Sequence, residues 1–273
     1  MQTGFSLEVF PPKDSVSVNE IYKSLGAFAV LEPDFISVTY GAGGGSRLLT
    51  KQISRDIQNN YGVAGVAHLT CVGATKENIG QILKELKADG VKKVLALRGD
   101  LPASEGLGDF KYASELIEFV NAAGDFEVFA ACYPEGHAES CNHEQDLRIA
   151  KIKFDLGVKL FISQLFFDNA DFCKMKADMR AAGITSPVYA GIMPLTNVKQ
   201  ILRIVTLSGA KLPRKLTKIV SKFENNPDAL YKAGLDYAAE QIADLISHGM
   251  DGVHLYTMNN PEIAKFIHGK IWK

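Results

Sequence analysis

Short apolar runs rich in Val, Ile and Phe recur along the chain, and stretches with helical spacing separate them. Eight of these runs have the length and composition of strands. They are FSLEVF (5–10), FISVTY (35–40), VAGVAHL (63–69), KVLAL (93–97), EVFAACY (127–133), LFISQLF (160–166), VYAGIM (188–193) and GVHLYT (252–257). Because the runs are almost continuously apolar, they are typical of parallel strands that are buried on both faces.

The stretches between these runs predict helices. In KENIGQILKELKADG the apolar residues that share one helical face are Ile79, Ile82, Leu83 and Leu86, and Gly90 can end the helix. Strand followed by helix, eight times over, predicts a (β/α)8 barrel, with a doubly wound sheet as the structural alternative. The connection from about residue 195 to 250 has room for more than one helix. We therefore expect one catalytic barrel domain over 1–273, with an elaborated segment between strands 7 and 8.

Composition excludes several classes of function. The 273 residues are 47% hydrophobic and 22% charged, enough for a large core, and the net charge of −1 gives no electrostatic footprint for nucleic acid. No apolar run approaches the roughly 18 residues of a membrane span, and the N-terminus lacks the features of a signal peptide, so we expect a cytoplasmic protein. The four cysteines are scattered without a CxxC, which favours reduced thiols.

The segment TYGAGGGSR (39–47) resembles a nucleotide-binding loop. Gly41 and Gly43 fit the G-x-G-x-x-G spacing, but Ser46 takes the third position. The following strand ends without the acidic residue that would hold a ribose, and the loop lacks the lysine of a P-loop. The glycines therefore indicate a tight turn or a close backbone approach at the barrel mouth.

Polar residues follow most of the predicted strands, where barrel enzymes place their active sites. They are Thr39, Tyr40, His68, Thr70, Arg98, Asp100, Tyr133, Glu135, His137, Gln164, Asp168, Tyr256 and Asn259. Such a ring favours an enzyme over a structural module.

Glu8 interrupts the apolar first strand. In an alternating strand Ser6, Glu8 and Phe10 share one face, so the carboxylate is expected to point into the barrel. Burial would raise the pKa of the carboxyl group, and a neutral carboxylic acid can donate a proton. The alternative is a buried carboxylate that pairs with Arg98 or a lysine for structure alone.

Two other features carry weaker signals. LRGD (97–100) places Arg98 and Asp100 at the rim, with Gly99 allowing a sharp exit, but an ordinary turn with a surface ion pair would look the same. The segment CYPEGHAESCNH contains four potential zinc ligands at a spacing that matches no usual pattern, so we expect no metal. These four are Cys132, His137, Cys141 and His143.

Several motifs together resemble the 5,10-methylenetetrahydrofolate reductase family in its short bacterial form. They cover nearly the whole chain in order: SLEVFPPK, SVTYGAGGGSR, AHLTC, LALRGDLP, CYPEGH, SQLFFD, GIMPLTN and LYTMN. The resemblance implies a barrel that binds FAD, takes a hydride from NADH or NADPH, and passes it to methylenetetrahydrofolate to form 5-methyltetrahydrofolate. Because the chain ends soon after the eighth unit, we expect no C-terminal regulatory domain.

The resemblance also implies roles for individual residues. Glu8 matches the general acid that opens the five-membered folate ring to an iminium, Asp100 matches an aspartate beside flavin and folate, and Gln164 matches a folate contact in the hydride step. Substrate contacts are matched by Glu8, Asp100, Gln164, Gln200 and Tyr256. The positions that match FAD contacts are Thr39, Tyr40, His68, Arg98, Gly99, Asp100, Tyr112, Tyr133, His137, Asp146 and Lys153.

The chain departs from the family pattern at four positions. Asn260 stands where an arginine is common, and Ile204 where a phenylalanine stacks the donor. Ile149 and Ile152 replace polar residues of the cofactor site, so the adenine end of FAD is expected to be held differently. We expect a homo-oligomer, with an electron-donor protein as an alternative to the nicotinamide. Two other readings remain: a related flavin barrel similar to proline dehydrogenase, and a non-catalytic folate-binding barrel.

Overall fold

A computed structural model describes residues 3–12, 17–40, 44–99 and 108–272 of the chain. Its strands are parallel and form a closed barrel in sequence order. They are β1 (Gly4–Val9), β2 (Phe35–Val38), β3 (Ala64–Thr70), β4 (Lys93–Leu97), β5 (Glu127–Cys132), β6 (Leu160–Ser163), β7 (Val188–Ile192) and β8 (Gly252–Tyr256). All eight predicted strands are present, which confirms the barrel and excludes the doubly wound sheet.

The helices pack around the outside of the barrel. They are α1 (Ser17–Ala29), α2 (Gly44–Tyr61), α3 (Lys76–Ala88), α4 (Ala113–Ala123), α5 (His143–Asp155), α6 (Asn169–Ala181), α7 (Val198–Ser208), α8 (Arg214–Phe223), α9 (Pro227–Ser247) and α10 (Pro261–Ile271). The last connection holds α7, α8 and α9, so the predicted elaboration between strands 7 and 8 is confirmed. None of the helices in the described ranges is long and apolar enough to cross a membrane.

Helix α3 illustrates how local sequence fixes the helical layer. The Thr75 hydroxyl caps its start by accepting a hydrogen bond from the Asn78 amide (3.1 Å); such a cap stabilises a helix by about 1 kcal/mol. Ile79, Leu83 and Leu86 are buried against the sheet, as the apolar spacing predicts.

The barrel interior is layered. The lower layer is apolar and contains Phe35, Val66, Leu95, Phe129, Leu160 and Ile162. Polar side chains lie in the barrel toward the carboxyl ends of β1 and β8, where Ser6 and His254 are fully buried register partners. Along the strand direction the barrel interior therefore changes from apolar side chains to polar and titratable side chains, which is the arrangement found in barrel enzymes.

The segment with α7, α8 and α9 has its own apolar cluster over the barrel mouth. Leu195, Ile201, Ile204 and Leu216 are buried there against Leu165 and Phe167 of the β6–α6 connection. The Glu135 carboxylate, after β5, accepts a hydrogen bond from the Lys211 amide (3.0 Å) and ties the segment to the rim. Burial raises the pKa of Glu135.

Candidate active site

The Glu8 carboxylate lies between two imidazoles near the carboxyl end of β1. Its Oε2 atom is 3.6 Å from Nε2 of His68 on β3 and 3.5 Å from Nε2 of His254 on β8. The Glu8 side chain is 20% exposed, whereas His254 is completely buried. Glu8 thus lies in the barrel as predicted, with one side open toward the mouth. We call Glu8, His68 and His254 the carboxylate–imidazole cluster.

The His254 ring is held on every side. Nδ1 is 2.8 Å from the Ser6 hydroxyl, and Nε2 is 3.4 Å from the Ser37 hydroxyl. The ring stacks on Phe35 with centroids 5.8 Å apart and meets Tyr256 edge-on at 5.4 Å. These contacts leave the imidazole one orientation, in which Nε2 faces the Glu8 carboxylate.

Burial keeps two titratable side chains beside Glu8, those of His68 and Tyr256, uncharged near neutral pH. Desolvation lowers the pKa of His68 to about 4, although the nearby Glu8 opposes the shift. In the described ranges, Nε2 of His68 is buried without a hydrogen-bond partner. Burial also raises the pKa of Tyr256 well above its usual value, and the Tyr256 hydroxyl donates to the Ser163 carbonyl oxygen (3.0 Å). Gly191 makes room for this ring, since a Cβ there would lie 2.9 Å from Tyr256.

A cavity of about 480 Å³ opens between the ends of β4 and β5 and the helices α4 and α5. We call it the α5 cavity. It brings together six of the residues that match FAD contacts. These six are Arg98, Tyr112, Tyr133, His137, Asp146 and Lys153.

Lys153 is the buried cation of the α5 cavity. Desolvation lowers the pKa of its ammonium group, partly opposed by Cys132 and Asp146. In the described part of the chain, Nζ donates a hydrogen bond to the Ala131 carbonyl oxygen (2.9 Å). An ammonium group has three donors, so a ligand in the cavity could accept the others.

The β5–α5 loop is fastened around the Asp146 carboxylate. This group accepts hydrogen bonds from the Ser140 hydroxyl (2.6 Å) and the His137 amide (3.2 Å). The His137 ring meets Tyr133 edge-on at 4.7 Å. The loop thereby forms a fixed wall of the α5 cavity.

Arg98 crosses the rim to this loop. Its guanidinium group makes two hydrogen bonds to the Glu139 carboxylate, at 2.5 and 2.6 Å. This fork lowers the pKa of Glu139. The neighbouring Gly99 has a φ of +83° and turns the chain sharply after β4, as the sequence predicts.

The remaining predicted residues have different environments. Thr39 and Tyr40 directly follow β2, at the mouth. The Gln164 side chain folds back and accepts a hydrogen bond from the Leu165 amide (2.9 Å). Gln200, in the first turn of α7, accepts from the amide and hydroxyl of Thr196, both at 3.0 Å. Asp100 and Gly41–Gly43 lie outside the described residues.

One alternative and one expectation from the sequence are wrong. In the described ranges Glu8 has imidazole partners rather than Arg98 or a lysine, because Arg98 is directed across the rim to Glu139. Phe10 does not continue the inward face of β1, since the strand ends at Val9 and Phe10 is partly exposed.

The four potential zinc ligands do not form a metal site with one another. His143 is 2.7 Å from the Asp178 carboxylate, and Cys132 packs in the buried core. In the ranges that the structure describes, no group of three or more His, Cys, Asp or Glu side chains has the arrangement of a metal site.

The family departures fall into two groups. Asn260 caps α10 by accepting a hydrogen bond from the Glu262 amide (2.9 Å), and Ile204 is a buried residue of α7. Ile149 and Ile152 line the α5 cavity and remain 37% and 47% exposed, which makes part of its rim apolar.

Sequence reasoning missed His254. The strand GVHLYT alternates, so His254 shares the inward face with Tyr256, which was selected because it ends the strand and matches a substrate contact of the family. A polar residue in an apolar strand was the signal that identified Glu8. The same signal, applied to β8, would have found His254.

These features define a (β/α)8 barrel of the enzyme type, with a carboxylate at its mouth and a cation-lined cavity beside it. The family model for methylenetetrahydrofolate reductase matches residues 1–271. The chain therefore belongs to the methylenetetrahydrofolate reductase family, a family of oxidoreductases.

Individual relatives agree with this assignment. A 5,10-methylenetetrahydrofolate reductase of Pectobacterium carotovorum is 33% identical over 259 residues, which is 95% of this chain and 87% of the relative. The Escherichia coli protein of the same name is 31% identical, over 96% and 88%. Methylenetetrahydrofolate reductase (NADH) 1 of Arabidopsis thaliana is 34% identical, over 94% of this chain and 46% of the relative.

A solved structure shares the fold. It is an uncharacterized protein from Clostridium thermocellum that binds two copies of 5-methyl-5,6,7,8-tetrahydrofolic acid. The two chains superpose with a TM-score of 0.71 over 98% of this chain and 94% of the other, at 12% identity. At that identity the likeness concerns the fold alone.

Proposed function

We propose that this protein reduces 5,10-methylenetetrahydrofolate to 5-methyltetrahydrofolate, with FAD as its cofactor and NADH or NADPH as electron donor. Membership of the family supports the folate reaction. The observation that carries the chemistry is the position of Glu8. Its carboxyl group is mostly buried, lies between two imidazoles, and remains accessible from the barrel mouth.

Glu8 acts as the general acid in this proposal. The neutral carboxyl group gives its proton to a nitrogen of the five-membered folate ring, and the ring opens to an iminium that can accept a hydride. An imidazolium beside Glu8 would favour the ionised carboxylate instead. His68 does not oppose the acid role in this way, because its low pKa, about 4, keeps it neutral.

The α5 cavity fits a flavin dinucleotide. Its volume, about 480 Å³, lies within the usual range for cofactor and ligand sites. Lys153 and Arg98 supply cations for the phosphates, and Lys153 is a buried ammonium with unused donors. Tyr112, Ile149 and Ile152 offer apolar surface to a planar ring. A bound flavin would supply hydride transfer between donor and folate.

Other residues are proposed as contacts from the family pattern. Thr39 and Tyr40 directly follow β2, His68 lies on β3 and Gly99 follows β4; all four are assigned to the flavin. Asp100 is assigned to the developing positive charge on the folate. The contacts assigned to folate are Gln164, Gln200 and Tyr256. Because both glutamine side chains bond locally, they must turn to reach a substrate.

The test separates the two half-reactions. We expect the purified protein, reconstituted with FAD if necessary, to lose its yellow colour with NADH or NADPH without oxygen, and to regain it with methylenetetrahydrofolate. Glu8→Gln should lower the folate half-reaction by about 10³-fold or more, because it removes the proton donor, while donor oxidation continues. Glu262→Gln, at the exposed Glu262–Lys265 pair of α10, is the matched control.

Two results would contradict this assignment. A protein that cannot be reconstituted with FAD would refute the flavin-dependent reaction. Equal losses in both half-reactions of Glu8→Gln, with the control unchanged, would make Glu8 a structural residue.

A second electron source is tested in the same experiment. Asn260 caps a helix and Ile204 is buried, so neither can make the donor contact of the residue it replaces. If dithionite reduces the flavin and supports folate turnover while both nicotinamides fail, the donor is a partner protein. If either nicotinamide reduces the flavin rapidly, no partner is needed.

A further inference from the structure

We propose that Asn259 is a positioning residue that fixes the end of β1 and so holds the Glu8 carboxyl group in place for the acid step. Asn259 belongs to the ring of polar residues that follow the predicted strands, but none of the contacts matched to the family falls on it. The inference rests on the proposed function, since it concerns the step assigned to Glu8.

Glu8 lies where the pairing between β1 and β8 ends. The register runs from Gly4 with Gly252 to Glu8 with Tyr256, which form the last pair. On the opposite side, β1 pairs with β2 for one residue more, to Val9. Hydrogen bonds at the ends of an element open more easily than those in its middle. A contact beyond the last pair would therefore limit the movement of Glu8.

The side chain of Asn259 supplies such a contact. Its Oδ1 atom accepts a hydrogen bond from the Phe10 amide (3.0 Å), and its Nδ2 atom donates to the Phe10 carbonyl oxygen (2.9 Å). The amide group of the side chain thus pairs with the backbone of Phe10 as a neighbouring strand would, two residues after Glu8. We call this pair of hydrogen bonds the Asn259 clamp.

Two hydroxyl groups fasten the same loop. The hydroxyl of Thr257, which is completely buried, donates to the Glu8 carbonyl oxygen (3.3 Å). The hydroxyl of Ser24, on α1, donates to the Asn259 carbonyl oxygen (3.1 Å). The loop after β8 is therefore tied to α1 on one side and to the backbone of the proposed acid on the other.

The loop keeps an unfavourable backbone conformation. The Asn260 amide donates to the Thr257 carbonyl oxygen (3.0 Å), which closes a tight turn. Both central residues, Met258 and Asn259, have positive φ, at 54° and 58°. Such turns favour Gly, Asn and Asp, so the methionine is strained there. Strain that the surrounding structure maintains is concentrated at functional sites, and here the strained turn directs the Asn259 amide to Phe10.

The folate half-reaction tests the clamp. Asn259→Gly keeps positive φ accessible and removes both hydrogen bonds to Phe10. The flavin is first reduced with dithionite, so that the result does not depend on the natural donor. We expect the limiting rate of flavin reoxidation by methylenetetrahydrofolate to fall about tenfold, because a misplacement of about 1 Å is enough to cost that much. The folate concentration that gives half of the limiting rate should change little.

Asn259→Asp gives a graded loss that acid should reverse. The carboxylate still accepts from the Phe10 amide but has no donor for the Phe10 carbonyl oxygen, so the rate should lie between those of the wild type and Asn259→Gly. A protonated carboxyl group has one acceptor and one donor in place of the amide. The deficit relative to the wild type at the same pH should therefore shrink as pH falls. This variant also serves if Asn259→Gly does not fold.

The matched control is Asn226→Gly. The Asn226 side chain likewise accepts a hydrogen bond from a backbone amide, that of Ala229 at the start of α9, and the control should keep the wild-type limiting rate. An equal loss in the control would overturn the proposal. Unchanged limiting rates in both Asn259 variants, or a change confined to the folate concentration at half rate, would also overturn it and leave Asn259 a structural residue.

A measurement without folate separates this inference from the proposed function. Hydrogen exchange of the Phe10 amide should become about tenfold faster in Asn259→Gly, because its hydrogen bond is lost. The Thr39 amide, which donates to the Val9 carbonyl oxygen (2.9 Å), should exchange as in the wild type. Unchanged exchange at Phe10 would overturn the inference even if the protein reduces folate. Faster exchange in a protein without reductase activity would refute only the proposed function.

Discussion

The two sides of the barrel mouth satisfy their polar groups in different ways. On the β1–β8 side, both ring nitrogens of His254 in the carboxylate–imidazole cluster face protein partners. On the β4–β5 side the α5 cavity contains a buried ammonium, Lys153, with one carbonyl partner in the described ranges. The imidazole of His254 is therefore fully engaged by protein groups, whereas the ammonium group of Lys153 has donors left for a ligand.

The difference indicates how the polar side chains on each side of the mouth are stabilised. In the cluster, strand register and the hydroxyl groups of Ser6 and Ser37 fix the orientation of the His254 ring without a ligand. In the α5 cavity, a buried cation costs several kcal/mol unless an anion compensates it. The buried ammonium group of Lys153 therefore lowers the free energy of unfolding of the apoprotein, and a bound phosphate would offset this loss. Changes to Lys153, His68 and Glu139 test this contrast.

Lys153→Met should have the largest effect. Removing the buried cation should weaken FAD binding by about 100-fold, since charge-assisted hydrogen bonds to phosphate are lost. The same change should stabilise the apoprotein by about 1–3 kcal/mol, because an apolar side chain fills the site without a desolvation cost. Flavin titration and chemical unfolding measure the two effects.

The control for this substitution is Lys151→Met, on the same helix. Lys151 pairs with Asp155 at the surface, so neither effect is expected there. The difference in unfolding free energy between Lys153→Met and the wild type should also become smaller as pH rises. Desolvation lowers the pKa of Lys153, so the unfolded chain binds more protons near that pKa, and wild-type stability increases with pH there. Unchanged FAD affinity in Lys153→Met would contradict the assignment of the α5 cavity as the FAD site.

His68→Asn should have the next largest effect, in the carboxylate–imidazole cluster. Burial lowers the pKa of His68 to about 4, whereas the unfolded chain takes up this proton below about pH 6.5. Wild-type stability should therefore fall between pH 6.5 and 4, by up to about 3 kcal/mol. The variant should lose that part of the acid sensitivity.

Unfolding curves at several pH values measure this contribution. The control is His248→Asn, at the exposed end of α9, which should keep the wild-type pH dependence. If His68→Asn also keeps the wild-type pH dependence, the folded protein tolerates a charged His68 imidazole. The protonation state of His68 would then not be set by its burial.

The sequence predicts the scaffold well because strand periodicity and helical spacing are local. The apolar run around Glu8 is long enough to identify β1, and alternation alone directs Glu8 inward. The excursion between strands 7 and 8 follows from the length of the connection. The family motifs select six of the residues that line the α5 cavity.

The pairings could not be predicted, because they join distant parts of the chain. Arg98 meets Glu139 across 41 residues, and Ser6 meets His254 across 248. Closure of the barrel between β1 and β8 creates the second contact, and nothing local in either strand reveals it. The orientation of Gln200 likewise depends on how the α7 cap forms with Thr196.

Glu139→Gln should have the smallest effect and sharpens the contrast at the rim. Glu139 is mostly exposed and bonds Arg98 beside the α5 cavity, and exposed pairs contribute little to stability. The midpoint of thermal unfolding should therefore not change measurably. FAD should bind about threefold tighter, because Arg98 no longer has to leave the Glu139 carboxylate before it can bind a phosphate of FAD. Added salt screens the exposed Arg98–Glu139 pair of the wild type, so the difference in FAD affinity between the variant and the wild type should become smaller. Weaker binding in Glu139→Gln, with Glu262→Gln unchanged, would mean that Glu139 holds Arg98 in place for the cofactor.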